Sequence, residues 1–181
     1  MKQLKPKRRA ATRVSLIAFG LVLSLAACQR SSDTVGRPLV GYVTNGIASF
    51  WTIAEQGANA AADSFDVEVQ VMMPPDGAAG QSRMVQSLLA RGVDGIAISP
   101  TDPANQSRLL DEISSKAHLI THDSDAPESD RLVYVGMDNY EAGRMCGRLL
   151  KDALPEGGSV VLFIGLLGQL NADLRLSLIH I

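Results

Sequence analysis

Several common signals are missing from this 181-residue sequence. There is no G-x-S-x-G elbow, no P-loop and no G-x-G-x-x-G stretch, so nothing points to a motif-borne nucleophile or nucleotide site. No cofactor is expected. Histidine occurs three times, too sparsely to suggest a metal centre, and none is expected. Cysteine occurs twice, as Cys28 and Cys146. No apolar run reaches the roughly 20 residues that a membrane-crossing helix requires. No short internal repeat is present.

What is there begins with a basic segment. Lys2, Lys5, Lys7, Arg8, Arg9 and Arg13 precede an apolar run of 14 residues from Val14 to Ala27, and no acidic residue interrupts them. That length and those flanks predict a signal peptide over residues 1–27. The run ends in Leu25-Ala26-Ala27-Cys28, which resembles the bacterial lipobox, so Cys28 is the expected lipidation site. Residues 28–37 then read as a polar tether. Export, with anchoring by an N-terminal lipid on the periplasmic or cell-surface side, is the expected location. Several acyl chains together would hold the protein firmly. With Cys28 taken by lipid, Cys146 stands alone and no intrachain disulfide is expected. Its apolar helical surroundings favour a packing role over a nucleophilic one.

Loss of the leader changes the charge. Six of the 17 basic residues lie in it, leaving 11 against 19 acidic residues and a formal charge of −8. No Lys/Arg cluster survives, which argues against nucleic acid as a partner.

From Leu39 onward, short apolar runs alternate with amphipathic segments. Strands are predicted at Leu39–Val43, 67–73, Gly95–Ile98, 118–121, 132–136 and 159–165. Helices are predicted at 50–64, 81–91, 104–116 and 140–152. Short, continuously apolar strands, each followed by a helix, imply parallel strands buried on both faces. Right-handed crossovers then build a doubly wound parallel α/β sheet. Residues 38–136 suffice for one lobe, and 137–181 read as the start of another.

In such a sheet, ligands bind beyond the carboxyl ends of the strands. Those positions hold Asn45, Phe50 and Trp51, then Asp76, then Ser99, Thr101 and Asp102. His122, Asp123, Ser124 and Asp125 follow, then Asp138 and Asn139, and lastly Gln169, Asn171 and Arg175. Amides and carboxylates can each bond neighbouring hydroxyls, and an aromatic face covers the apolar side of a sugar ring. This set suits a polyhydroxylated ligand. Asp102, Asp138 and Asn139 are expected instead to cap turns or helices. Of Phe50 and Trp51, one is expected in the core and the other at the ligand.

At Val40–Gly57 (VGYVTNGIASFWTIAEQG), Gly92–Asn105 (GVDGIAISPTDPAN), Leu119–Asp125 (LITHDSD) and Val135–Gly147 (VGMDNYEAGRMCG), and more loosely at 165–175 (GLLGQLNADLR), the sequence resembles the ribose-binding group of type 1 periplasmic binding proteins. Those proteins serve ABC sugar importers. The resemblance implies two Rossmann-like lobes closing on a monosaccharide or similar polyol, with the second lobe incomplete in these 181 residues. It also implies that the closed form docks on ABC permease subunits, and a monomer is expected. Phe50 and Trp51 match the ring-stacking pair, Asp123 the hydroxyl-holding carboxylate and Arg175 the second-lobe arginine. Ser99 falls where an Asn often binds. Asn45, Asp125 and Asn171 complete the expected ligand set, and the first crossover is expected near 136–138.

The pattern is departed from in three places. Ser124 replaces an Arg, which argues against ribose itself. Ala48 replaces a ligand-binding Asn, for which Asn45 is the nearby substitute. Leu178 and Ile179 stand where Gly-Phe is usual, so 176–181 (LSLIHI) is expected to be foreign to the native frame. A lipoprotein that hands sugar to a membrane receptor or kinase is the alternative function. An enzyme using His122 and Asp123 is the alternative of another class. A sugar-responsive DNA-binding regulator is excluded, because the N-terminus carries an export signal where a helix-turn-helix would stand.

Overall fold

The computed structural model describes residues 36–165 and 167–177. The expected signal peptide, the Cys28 lipidation site, nearly all of the tether and the pair Leu178–Ile179 lie outside the described residues.

Five strands form one sheet: β1 (Leu39–Val43), β2 (Glu68–Met72), β3 (Gly95–Ile98), β4 (His118–His122) and β5 (Tyr134–Val135). Their order is β2-β1-β3-β4-β5, and every neighbouring pair is parallel. Among the described residues the helices are α1 (Ser49–Phe65), α2 (Gly77–Ala90), α3 (Ser107–Lys116), α4 (Asn139–Ala153) and α5 (Leu170–Ser177). The chain leaves β1 in one direction, through α1 to β2. It then returns past β1 through α2 to β3, so the winding reverses between β1 and β3.

Side chains alternate across the strands, and each face takes different partners. Val43, Ile96, Ile98 and Leu119 point to the face covered by α2 and α3. There they join Val85, Leu88, Leu110 and Ile113 in the main core. Val85 and Leu88 share one helical stripe, which is why α2 lies flat on the sheet. Tyr42 and His122 point to the opposite face, where Trp51 of α1 packs against His122.

The elements differ from expectation at their ends. Helix α2 begins at Gly77, four residues early, and α3 begins at Ser107 because 102–105 forms a turn closed by Asn105 donating to Asp102. Asp138 caps α4, accepting from the Glu141 backbone N–H at 3.0 Å. Helix α5 was not expected as an element. It sits against α4 at Gly143, where a Cβ would come within 2.5 Å of the Arg175 carbonyl oxygen.

Two expectations are overturned. Cys146, expected to pack, is exposed on α4. Residues 159–165 do not form a sixth strand: they are unpaired and exposed throughout, with Phe163 96% exposed. An apolar run becomes a strand only beside another strand that satisfies its backbone groups. Among the described residues, none lies alongside it.

Candidate functional site

The carboxyl ends of β1, β3 and β4 meet at the reversal of winding and bring three expected residues together. Asp123 is the centre. Its Oδ2 accepts from Asn45 Nδ2 at 3.2 Å, Ser99 Oγ at 3.2 Å and Asn171 Nδ2 at 3.3 Å. Its other carboxylate oxygen has no hydrogen-bond partner among the described residues, which leaves acceptor capacity for a ligand hydroxyl. Asp123 is held in the left-handed region, with φ 59°, an uncommon conformation for a residue with a side chain.

The aromatic pair divides. Trp51 is buried, 4% exposed, and its indole N–H donates to Asn45 Oδ1 at 3.0 Å. Phe50 is 58% exposed and meets Trp51 edge-on, with ring centroids 4.8 Å apart. Trp51 therefore orients the Asn45 amide that reaches Asp123, while Phe50 offers an open ring beside the cluster.

Beneath them lies His122, 7% exposed. Its ring stacks on Tyr42 at 4.4 Å and meets Trp51 edge-on at 5.6 Å. Tyr42 Oη lies 3.4 Å from His122 Nδ1. Burial pushes the imidazole down to about 4, so it is neutral near pH 7 and acts as a packing ring. Burial, and to a smaller degree the Asp123 charge, push the Tyr42 hydroxyl up.

The structure does not bring Asp125 into the cluster. Arg131 grips its carboxylate through Nε at 2.5 Å and Nη2 at 2.7 Å, and Thr121 Oγ1 donates at 2.6 Å. Burial raises its pKa, but the bonds from Arg131 and Thr121 outweigh that and hold it below the usual carboxylate range. Its acceptors are used to shape the loop after β4. Arg175 is also elsewhere: Nε donates to Asn139 Oδ1 at 2.8 Å, and Nη2 lies 3.3 Å from Met137 Sδ, in the segment that follows β5. His122, Asp123 and Asp125 thus turn to separate partners. Among the described residues, no group of three His, Cys, Asp or Glu side chains is placed to hold a metal ion.

One residue that holds the site together escaped the sequence reading. Gln81, fully buried on α2, makes all four bonds its amide allows. Its Nε2 donates to the Thr44 carbonyl at 2.9 Å and the Ser99 carbonyl at 2.7 Å. Its Oε1 accepts from the Thr101 backbone N–H at 3.2 Å and from Gln106 Nε2 at 2.8 Å. The loops after β1 and β3 are therefore pinned to one amide. The signal was available: Gln81 occupies the apolar stripe of Val85 and Leu88, and a polar group there must be bonded.

Residues 40–180 match the family model described as a periplasmic binding protein domain. The chain belongs to that family. Its parallel sheet is that of the type 1 periplasmic binding proteins. A D-ribose/D-allose-binding protein of Pseudomonas aeruginosa is 26% identical over 93% of this chain and 56% of its own length. The solute-binding protein of Burkholderia graminis solved with D-arabinose superposes with a TM-score of 0.76 at 29% identity, covering 80% of this chain and 51% of that one. A glucose–galactose binding protein from Geobacillus stearothermophilus gives 0.74 at 29% identity, covering 80% and 52%. This periplasmic binding protein chain thus spans about half the length of the relatives it matches.

Proposed function

We propose that this chain carries one jaw of a sugar-capturing protein, the substrate-binding lipoprotein of an ABC importer. The observation that carries the reading is Asp123. A carboxylate oriented by Asn45 and Ser99 retains an unpaired oxygen at the carboxyl edge of the sheet, beside the open ring of Phe50. Sugar hydroxyls need such an acceptor, and the ring's apolar faces need such an aromatic. The relatives named above bind ribose or allose, arabinose, and glucose or galactose, which fits a monosaccharide. Asn171 and Arg175 would approach the same ligand from beyond the crossover, and Asp125 would shape the loop that presents Asp123. Closure on sugar would create the surface that docks on the permease, and a lipid on Cys28 would keep the protein at the membrane.

The test is a panel of pentoses and hexoses titrated into the purified native gene product. Binding is read by Trp51, the single tryptophan of the sequence, and by calorimetry. Saturable binding of at least one monosaccharide is expected. Absence of both heat and fluorescence change across the panel would overturn the reading. Loss of lipid labelling in Cys28→Ala would check the anchor separately.

A further inference from the structure

Asp123 is fixed by more than its side chain. Its backbone N–H donates to the Val135 carbonyl at 3.1 Å, and its own carbonyl accepts from Tyr134 Oη at 2.9 Å. These two bonds to β5 hold a left-handed residue whose side chain would otherwise favour another conformation.

The Tyr134 hydroxyl has further partners. It lies 3.2 Å from the Met137 carbonyl and accepts from Asn139 Nδ2 at 3.2 Å. A hydroxyl has one proton, so it serves the Asp123 carbonyl or the Met137 carbonyl, never both fully. Asn139 Nδ2 also reaches the Met137 carbonyl at 3.2 Å, so that acceptor stays bonded either way. Gly136 leaves room for the arrangement, because a Cβ there would collide with the tyrosine hydroxyl.

The contacts close into a circuit. Asp123 bonds Tyr134, Tyr134 bonds Asn139, and Asn139 Oδ1 accepts from Arg175. Arg175 stands one turn along α5 from Asn171, whose amide returns to Asp123 Oδ2. A ligand hydroxyl donating to the other Asp123 oxygen would pull on this circuit at one point, and the circuit runs through the segment at 136–138.

We infer that the Tyr134 hydroxyl is a positioning group that couples the ligand-holding Asp123 to the crossover, an inference that rests on the sugar-capturing reading. Tyr134 touches no ligand itself. It sets the backbone of the residue that does, and it shares that bond with the segment on which the jaws turn.

Tyr134→Phe removes one oxygen and keeps the ring, and Gly136→Ala displaces the hydroxyl by crowding. Both are made in the native gene product. Amide hydrogen exchange is followed without ligand, and sugar dissociation by stopped-flow Trp51 fluorescence. In both variants, exchange is expected to quicken about threefold to tenfold, the worth of one hydrogen bond, at the Asp123 amide, which donates to the Val135 carbonyl, and at the Glu141 and Ala142 amides, which donate to Asp138 just past the crossover segment. Exchange in β1 and β3 stays unchanged, and dissociation quickens by a similar factor. Wild-type exchange at those amides would overturn the inference. So would faster exchange throughout the sheet, which marks a purely structural role, and so would altered exchange with unaltered dissociation. If the unmodified protein binds no sugar, the functional reading fails, and the ligand-free exchange alone decides whether Tyr134 ties Asp123 to the crossover.

Discussion

The residues before and after 136–138 are built from similar sequence and reach different ends. Gly95–Ile98 is a short apolar run that becomes the central strand β3, buried between neighbours on both sides. Residues 159–165 form a longer and more apolar run, yet they lie unpaired and exposed. Helices α2 and α3 bury their leucines against the sheet. Helix α4 leaves Met145 and Leu149 more than half exposed and finds its close partner in α5. Apolar pattern supplies a driving force for burial, but the stable result depends on a second surface to receive it.

That contrast can be broken by mutation. Leu88→Ala should destabilise the protein by about 4 kcal/mol in urea unfolding, since a fully buried leucine leaves a cavity in the core. A change below about 1 kcal/mol would mean that the sheet half is no better packed than the rest.

The next largest effect comes from acid. The His122 pKa falls from 6.5 to about 4 on folding. Unfolded chains therefore take up a proton on this residue first as pH drops. Its contribution is complete above about pH 6.5 and is lost progressively down to about pH 4, a loss of about 3 kcal/mol. His122→Gln, which has no imidazole to protonate, should flatten that part of the pH–stability curve. An unchanged slope would show that the ring is more hydrated than its packing between Tyr42 and Trp51 implies.

Asp123 stands where the two regions meet, taking donors from Asn45 and Ser99 on one side and Asn171 on the other. Asp123→Ala should weaken sugar binding by more than about 1 kcal/mol, through loss of a charged acceptor. Equal affinity in calorimetry would remove Asp123 from the site. The smallest effect is expected at Phe163→Ser, within about 0.5 kcal/mol of the parent in the same urea experiment, because the ring is 96% exposed. A larger loss would show that 159–165 is packed against something in solution.

Much of the sheet half was legible along the chain. The strands at 39–43 and 95–98 stand where their apolar runs predicted them, and the division of Phe50 and Trp51 between surface and core was expected. The positions beyond the strands also pointed to Asn45, Ser99 and Asp123, and Asn171, read from beyond a strand at 159–165 that does not form, joins them in one cluster. Asp125 and Arg175 were read by the same logic but turn to Arg131 and to Asn139. Position along a strand tells where a side chain starts, and only competing partners tell where it ends.

The sequence by itself determined the order and type of the elements before residue 136, because hydrophobic period is a local property of the chain. It also determined which polar residues stand beyond the carboxyl ends of these strands, though not which of them gather. Tertiary structure alone decided that Gln81 pins two loops, that Tyr134 reaches back to Asp123, and that 159–165 remains unpaired. Each of these depends on groups far apart in the chain, since a hydrogen bond or a strand ladder exists only when both partners are brought together in space.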